Sequence, residues 1–306
     1  MKPTLSELIR PYRSISIIGM CKNAGKTTAL NQIIKEVKGS GRILALTSIG
    51  RDGEDKDLVT GTKKPGIHVE EGTLVATASD LILRHCDVTR EIIDTTGIST
   101  PMGDVVMIDG ALSRKTLCSR KVTEATILCT GASYNKSIDT VIEDTAYNCE
   151  ILTLPETADE EIRKTVEPLE DFRGTIIFGE QGPWTIPAGL SVEDALRKEE
   201  AKGARAIFFG GALSDFLMKP LLMSSAPLKG LTFVVRDSSK ILLKRENYDK
   251  IARRGITLEV LDTVNLVAVT VNPFSAYGFH FSKEELMSRM EARVGLPVIN
   301  VMEDAK

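Results

Sequence analysis

The residues best suited to chemistry stand near the amino terminus, in the stretch GMCKNAGKTT at positions 19–28. Glycine lets the backbone approach a ligand closely, and the N–H groups at the start of a helix point toward an anion placed before it. A lysine adds a cation, and a threonine hydroxyl is an oxygen ligand for Mg²⁺. The stretch predicts polyphosphate binding by Gly19, Lys22, Asn23, Ala24, Gly25, Lys26, Thr27 and Thr28.

The elements around this stretch follow the order of a P-loop. The apolar run at 14–18 predicts a strand, and the apolar residues recurring through 26–38 predict an amphipathic helix. The usual pattern is G-x-x-x-x-G-K-[ST], but here Met20 occupies the first glycine position and Gly19 precedes it. We therefore predict a variant nucleotide-binding loop, in which Lys26 reaches the β- and γ-phosphates and Thr27 holds Mg²⁺.

Phosphoryl transfer with a metal also needs an acid at a strand end. Asp109 closes the apolar run VVMI and has the form of a Walker B residue, whereas Asp94 begins the sequence DTTG, which fits the D-x-x-G pattern of GTPases. We favour Asp109, because its strand signal is longer, and leave Asp94 as the alternative.

A third acid is expected in the polar loop after the predicted strand 42–47. Asp52 is the first choice for positioning the nucleophile or the metal, and Asp55 is the second. The predicted catalytic set is therefore Lys26, Asp52 and Asp109, with Thr27, Asp109 and Asp52 as the Mg²⁺ ligands.

The preference between adenine and guanine is indicated by a sequence that does not fit the guanine-recognition motif. GTPases recognise guanine with N-K-x-D, but Asn135-Lys136 is separated from Asp139 by one residue too many. Asn135 or Ser137 is better explained as the cap of a helix with an acid in its first turn. ATP is therefore favoured over GTP.

Short apolar runs alternate with helical patterns through most of the chain. Further strands are predicted at 104–108, 125–130, 150–154, 174–178, 205–209, 231–235, 257–261, 265–271 and 297–301. Continuous apolar strands of this kind are typical of a parallel sheet covered on both faces, so we predict an α/β, doubly wound and mostly parallel sheet.

The polar, proline-interrupted segment 155–173 suggests a boundary. We predict a nucleotide-binding domain over 1–160, and a second α/β domain or an extension of the same sheet over 161–306. Two loops in the later part, Gly210-Gly211 and the one that begins at Asn272, follow apolar strands and could line a second pocket.

Composition excludes several classes of protein. The 306 residues carry a formal charge of −3 without a basic cluster, which argues against a nucleic-acid partner. No apolar run is long enough for a membrane span, and the first residues, MKPTLSELIRPYRS, carry charges and prolines where a signal peptide would carry an apolar stretch. The five cysteines and three histidines are scattered, which argues against a disulfide framework or a zinc site. We expect a soluble, cytoplasmic protein without a membrane partner.

The loop spacing resembles that of dethiobiotin synthetase and its relatives, in the branch of P-loop proteins that includes the MinD-like ATPases. In MinD-like members a second loop lysine reaches the phosphates of a dimer partner. Lys22 lies one residue from that position, so this role is not transferred and a homodimer is left open.

A narrower resemblance covers most of the chain. The stretches CKNAGKTTALN, TSIGRDGE, EEGTLVATA, TTGISTPMGDVVMIDGA, VTVNPFSAYGFHF and LPVINV resemble the P-loop subunit of the reactivating factor for lysine 5,6-aminomutase. The resemblance implies ATP-driven release of damaged cobalamin from a B12- and PLP-dependent aminomutase, together with a MutS-like companion subunit. In that role Asp52 would sense the γ-phosphate and Asp109 would complete the Mg²⁺ site.

Two other functions remain open. The loop spacing fits equally well an ATP-dependent ligase or kinase that acts on a small carboxylate, as dethiobiotin synthetase does. A GTP-dependent metallochaperone is disfavoured, because the chain has no His/Cys cluster and its N-K-x-D motif is misspaced.

Overall fold

The computed structural model describes residues 3–38, 40–48, 74–77, 104–111 and 118–302. In chain order the described elements are α1 (Leu5–Ile9), β1 (Ser14–Gly19), α2 (Lys26–Lys38), β2 (Leu44–Ser48), β3 (Leu74–Thr77), β4 (Val105–Ala111), β5 (Ala125–Gly131), α3 (Ile138–Leu152), α4 (Glu160–Val166), β6 (Thr175–Gly179), β7 (Gly182–Thr185), α5 (Val192–Ala195), β8 (Ala206–Phe209), β9 (Leu213–Ser214), α6 (Asp215–Met223), β10 (Thr232–Asp237), β11 (Ile241–Leu242), α7 (Arg245–Arg253), β12 (Thr257–Asp262), β13 (Leu266–Asn272), α8 (Lys283–Val294) and β14 (Val298–Asn300).

The chain divides into two compact units. The first comprises Met1–Glu150 together with Asn265–Lys306, and the second comprises Ile151–Val264. This division differs from the predicted one at 160/161, because the last two strands return to the first unit. The chain passes from the first unit to the second after Glu150 and goes back after Val264. Strands and helices alternate before and after both points, so the sequence pattern does not mark either of them.

The first unit is an α/β fold built on a parallel sheet. Its seven strands lie in the order β14-β13-β5-β1-β4-β2-β3, and every neighbouring pair is parallel. The first strand is therefore central, between β5 and β4, and all seven carboxyl ends lie at one edge of the sheet. Loops that leave those ends can meet there.

Helices contact both faces of this sheet. On one face, α1 and α2 bury Leu5, Ile9, Ala29, Leu30, Ile33, Ile34 and Val37 against the strands. This matches the predicted apolar stripe of the helix over 26–38. On the other face, Thr145 of α3 donates a hydrogen bond of 2.9 Å to the hydroxyl of Thr130 in β5. Successive side chains of a strand point to opposite faces of the sheet, so the same strands contact α1 and α2 on one face and α3 on the other.

The second unit has a smaller, mixed sheet in the order β12-β10-β8-β6-β7. Strands β8, β10 and β12 are parallel, whereas β6 is antiparallel to both of its neighbours. Its core on one face joins α4 to the strands, with Ile162, Val166, Ile176, Phe178, Ala206, Phe208, Val234 and Leu261 buried together.

One predicted strand is wrong. Residues 150–152 are the last turn of α3 and are not part of a strand over 150–154. The buried residues Ile142, Ala146 and Cys149 precede Leu152 at helical spacing, and a short apolar run does not distinguish a strand from a buried helix end. The expected helix start is confirmed, because the Ser137 hydroxyl accepts the backbone N–H of Thr140.

Among the helices that the structure describes, none combines the length and the apolar character needed to cross a bilayer.

Candidate functional site

The loop between β1 and α2 has two residues in the left-handed region of backbone conformation. Asn23 has φ 61° and Gly25 has φ 91°. Asparagine and glycine are the residues that tolerate this region best, so the sequence suits the turn. A Cβ atom at Gly25 would stand 3.2 Å from Cβ of Asn272 and 3.5 Å from Cγ2 of Val301. Residue 25 is therefore glycine for two reasons, its φ angle and its close neighbours.

The glycine at position 19 makes room for the side chain of Lys26. A Cβ atom there would lie 3.0 Å from both Cγ and Cδ of that lysine. The stem of Lys26 thus crosses the end of β1 at Gly19. Met20, which occupies the usual glycine position, is buried, and its N–H donates to the carbonyl of Cys129 in β5 at 2.9 Å. The stem of Lys26 therefore needs a glycine at residue 19 and not at residue 20, which explains the unusual spacing of the loop.

The ammonium of Lys26 faces an acid on the neighbouring strand. Its Nζ atom lies 4.0 Å from Oδ1 of Asp109, and the two side chains are 23% and 32% exposed. Asp109 is placed there by strand register, since it pairs with Ile17 of β1 on one side and Ser48 of β2 on the other. A partly buried pair of this kind is less screened by salt than a surface pair. The structure therefore brings together two of the three predicted catalytic residues.

The start of α2 lies directly after this loop. The N–H of Ala29 donates to the carbonyl of Gly25 at 2.9 Å, which begins the helical hydrogen bonds. The helix has no acidic residue in its first turn and carries Lys35 and Lys38 in its last turn. The predicted ligands Thr27 and Thr28 occupy the first turn, where backbone N–H groups are left without helical acceptors. The positive end of the helix dipole is therefore not compensated by a side chain of its own turn.

Two thiols near Lys26 are neutral at physiological pH. Burial raises the pKa of Cys129 to about 12, against smaller lowering effects of Thr270 and Lys26. Burial likewise raises the pKa of Cys21 to about 11, with Lys26 lowering it by less. Neutral thiols are poor nucleophiles and poor metal ligands. Among the residues that the structure describes, no group of three or more His, Cys, Asp or Glu side chains is placed to hold a metal ion.

Asn272 is a residue of this site that the sequence pattern assigned elsewhere. Its loop is one of two that could line a second pocket by the sequence pattern, but Asn272 ends β13 in the first sheet and lies against Gly25. Its side-chain oxygen accepts the N–H of Phe274 at 3.0 Å, and its carbonyl accepts the N–H of Ala132 at 2.9 Å. The sequence signal for Asn272 is a polar residue at the end of an apolar strand. That signal does not say which strand lies beside β13, so it does not place Asn272 next to Gly25.

Gly210 and Gly211, the other loop considered for a pocket, lie in the second unit. A Cβ atom at Gly210 would stand 2.4 Å from the carbonyl oxygen of Phe172. The absence of a side chain at residue 210 is thus required by packing.

Asp52, Asp55 and Asp94 lie outside the residues that the structure describes.

Comparisons with protein-family models, with curated proteins and with solved structures found no match to this chain.

Proposed function

We propose that the loop at residues 19–28 binds the phosphates of a nucleoside triphosphate with Mg²⁺, and that the protein is an ATPase of the P-loop class. The observation that carries this proposal is the placement of Lys26, whose stem lies over Gly19 and whose Nζ atom is 4.0 Å from Asp109. A cation at the start of the helix that follows β1, beside an acid near the carboxyl end of the adjacent strand β4, suits a phosphate group and its metal ion.

The neighbouring residues fit such a ligand. Lys26 would contact the β- and γ-phosphates, while the hydroxyl of Thr27 and the carboxylate of Asp109 would bind Mg²⁺ directly or through its waters. The uncompensated start of α2 would add backbone N–H donors and a favourable dipole. Bound Mg²⁺ would supply neutralisation of the charge on the transferred phosphoryl group.

The biological role that we propose is that of a reactivating chaperone subunit. Its client would be a B12- and PLP-dependent aminomutase, and its companion would be a MutS-like subunit, in the cytoplasm. This assignment is supported by the resemblance of the stretches described above, of which only the phosphate loop has a general chemical mechanism. Contacts to a γ-phosphate can shift a two-state protein, which gives a physical route from ATP to a bound client.

ATP hydrolysis measured with and without the aminomutase tests this role. The proposal expects slow hydrolysis by the protein alone and faster hydrolysis when inactivated aminomutase and the companion subunit are added. Lys26→Ala should abolish both rates, whereas Lys35→Ala, an exposed lysine of the same helix, should change neither. Hydrolysis that the aminomutase leaves unchanged would contradict the chaperone role without contradicting nucleotide binding.

A ligase or kinase acting on a small carboxylate is the second candidate. It is favoured by the same glycine, because the displaced Gly19 is the feature shared with dethiobiotin synthetase and the structure gives it a role beneath Lys26. Such an enzyme would consume ATP only when a carboxylate acceptor is supplied. ATP consumption that depends on added small carboxylic acids, and not on a protein client, would favour this candidate.

A further inference from the structure

We propose that the exposed face formed by α6 and β11 in the second unit docks an acidic amphipathic helix of a partner protein. This face, here named the α6–β11 surface, consists of Phe216, Lys219, Met223, Lys240, Leu242 and Lys244. The proposal does not depend on nucleotide binding, since all six residues belong to the second unit.

Three large apolar side chains of this surface are open to solvent. Phe216 is 93% exposed, Met223 is 72% exposed and Leu242 is 55% exposed. Single exposed apolar residues are ordinary, but a group of them on one surface marks an interaction site. The exposed residues are additional to the core-facing stripe of α6, because Met218, Leu221 and Leu222 of the same helix are buried. The helix is thus apolar on two faces, of which one is covered.

The three apolar residues belong to two neighbouring elements of the second unit. Phe216 and Met223 are seven residues apart on α6, a spacing that places them on the same side of the helix. Leu242 pairs with Ser214, the residue directly before α6, in the short parallel ladder between β9 and β11. The N–H of Lys244 donates to Oδ1 of Asp215 at 3.0 Å, which fixes the end of β11 to the start of the helix.

Lysines border this apolar group. Lys219 follows Phe216 by three residues and precedes Met223 by four, and it is exposed. Lys240 ends the short 3-10 helix directly before β11 and is half-buried, and Lys244 follows β11 by two residues and is exposed, so the two lysines flank Leu242 along the chain.

Two nearby acids are engaged within the unit, whereas Glu246, two residues after Lys244, is exposed. Asp215 accepts hydrogen bonds from the backbone of Lys244 and from the side chain of Asn247. Asp237 is buried and accepts the N–H of Ser239. The surface therefore combines three exposed apolar side chains with a border on which three lysines outnumber one exposed acid.

This charge distribution selects the occupant. A helix with apolar residues at i, i+3 or i+4, and i+7, flanked by Asp or Glu, would cover the apolar side chains and pair with the lysines. A second copy of this chain, placed symmetrically, would set the same lysines against one another. An anionic membrane is disfavoured, because three lysines are fewer than the roughly four to eight that lipid-binding clusters use.

A synthetic peptide of about 18 residues, long enough to form a helix, provides the probe. It carries Leu at i, i+3, i+4 and i+7 with Glu on the flanking positions, and its control has Lys in place of every Glu. Binding to the full-length protein is measured by fluorescence anisotropy of the labelled peptides. The acidic peptide should bind, and the lysine peptide should bind at least about tenfold more weakly.

Matched variants locate the binding on the protein. Phe216→Ser and Met223→Ser should each raise the Kd of the acidic peptide about tenfold, and Lys219→Glu should raise it several-fold. Val122→Ser, at an exposed apolar residue of the first unit, and Lys229→Glu, at an exposed lysine outside the surface, should leave it unchanged. Because all five side chains are exposed or border solvent, thermal unfolding should match that of the unaltered protein.

Five outcomes would overturn the proposal. Three concern the peptides: no binding of the acidic peptide, equal binding of the two peptides, and acidic-peptide binding that Phe216→Ser and Met223→Ser leave unchanged. The fourth is a dimer in sedimentation that Phe216→Ser dissociates, which would assign the surface to a second copy, and the fifth is binding to a membrane. Vesicles of phosphatidylserine and phosphatidylcholine serve as the remaining comparison. Their binding to the protein, lost in Phe216→Ser, would assign the surface to a membrane.

Discussion

The placement of Lys26 over Gly19 makes a quantitative prediction for Gly19→Ala. The new Cβ would stand 3.0 Å from Cγ and Cδ of Lys26, whereas carbon atoms in favourable contact are about 3.5–4.0 Å apart. The lysine stem must therefore move by about 0.5–1 Å. A side chain forced off its preferred rotamer by such a shift costs about 0.5–1.5 kcal/mol.

This cost is offset in part by the loss of glycine's conformational freedom in the unfolded chain, which stabilises by about 0.5–1 kcal/mol. We expect Gly19→Ala to be nearly neutral when Lys26 is present. In a Lys26→Ala background the crowding disappears, and the same substitution should stabilise by about 0.5–1 kcal/mol. The contact of the new Cβ with Ala24 at 3.4 Å is present in both backgrounds and cancels.

Urea unfolding of the four proteins, without nucleotide, measures this coupling as a double-mutant cycle. The structure predicts a coupling free energy of about 0.5–1.5 kcal/mol between residues 19 and 26. Binding of Mg·ATP gives a second measurement, since a displaced ammonium should raise the Kd of Gly19→Ala about tenfold. A coupling of zero would refute the stated position of the lysine stem, whatever the ligand.

Two further predictions concern the same unit. Gly25→Ala and Gly41→Ala both place alanine at positive φ, at 91° and 73°, and this conformation should destabilise each variant by about 1–2 kcal/mol. Gly25→Ala should lose about 1 kcal/mol more than Gly41→Ala, because a Cβ at residue 25 meets Asn272 whereas a Cβ at residue 41 meets nothing within 4 Å. Equal urea midpoints for the two variants would contradict the close approach of Asn272. For Cys129, a folded-state pKa of about 12 against an ordinary value of 9.0 means that the unfolded chain loses its proton first, so the free energy of unfolding should fall as pH rises above about 9. Cys129→Ala should show a shallower fall between about pH 8 and 10.5 in urea unfolding, and an unchanged slope would argue against burial of the thiol.

The parts of the fold that depend on neighbouring residues were predictable from the sequence. The helix over 26–38 has the predicted bounds, because its apolar spacing and its basic last turn are local signals. Asp109 is predicted to follow a strand over 104–108, and it lies in the last three residues of β4, which extends to Ala111. A run of apolar residues closed by an acid is also a local pattern, although it places the end of the strand too early.

Long-range pairing was not predictable in the same way. The approach of Asn272 to Gly25 requires β13 to pair with β5 after the whole second unit has intervened. No periodicity in the sequence encodes that β5 is the neighbour of β13. The strand predicted over 150–154, which is the last turn of α3 in part, is wrong for a related reason. Burial of Leu152 on a helix face and burial of a strand give the same short apolar run.

The most direct test of the account is a calorimetric titration of the purified protein with Mg·ATP, repeated with Lys26→Ala and Lys35→Ala. Charge-assisted hydrogen bonds of the kind proposed for Lys26 contribute about 1.5–3 kcal/mol, so Lys26→Ala should raise the Kd roughly ten- to hundredfold while Lys35→Ala leaves it unchanged. Binding of equal strength in all three proteins, or no heat of binding with either ATP or GTP in the unaltered protein, would contradict the claim that this loop holds a triphosphate.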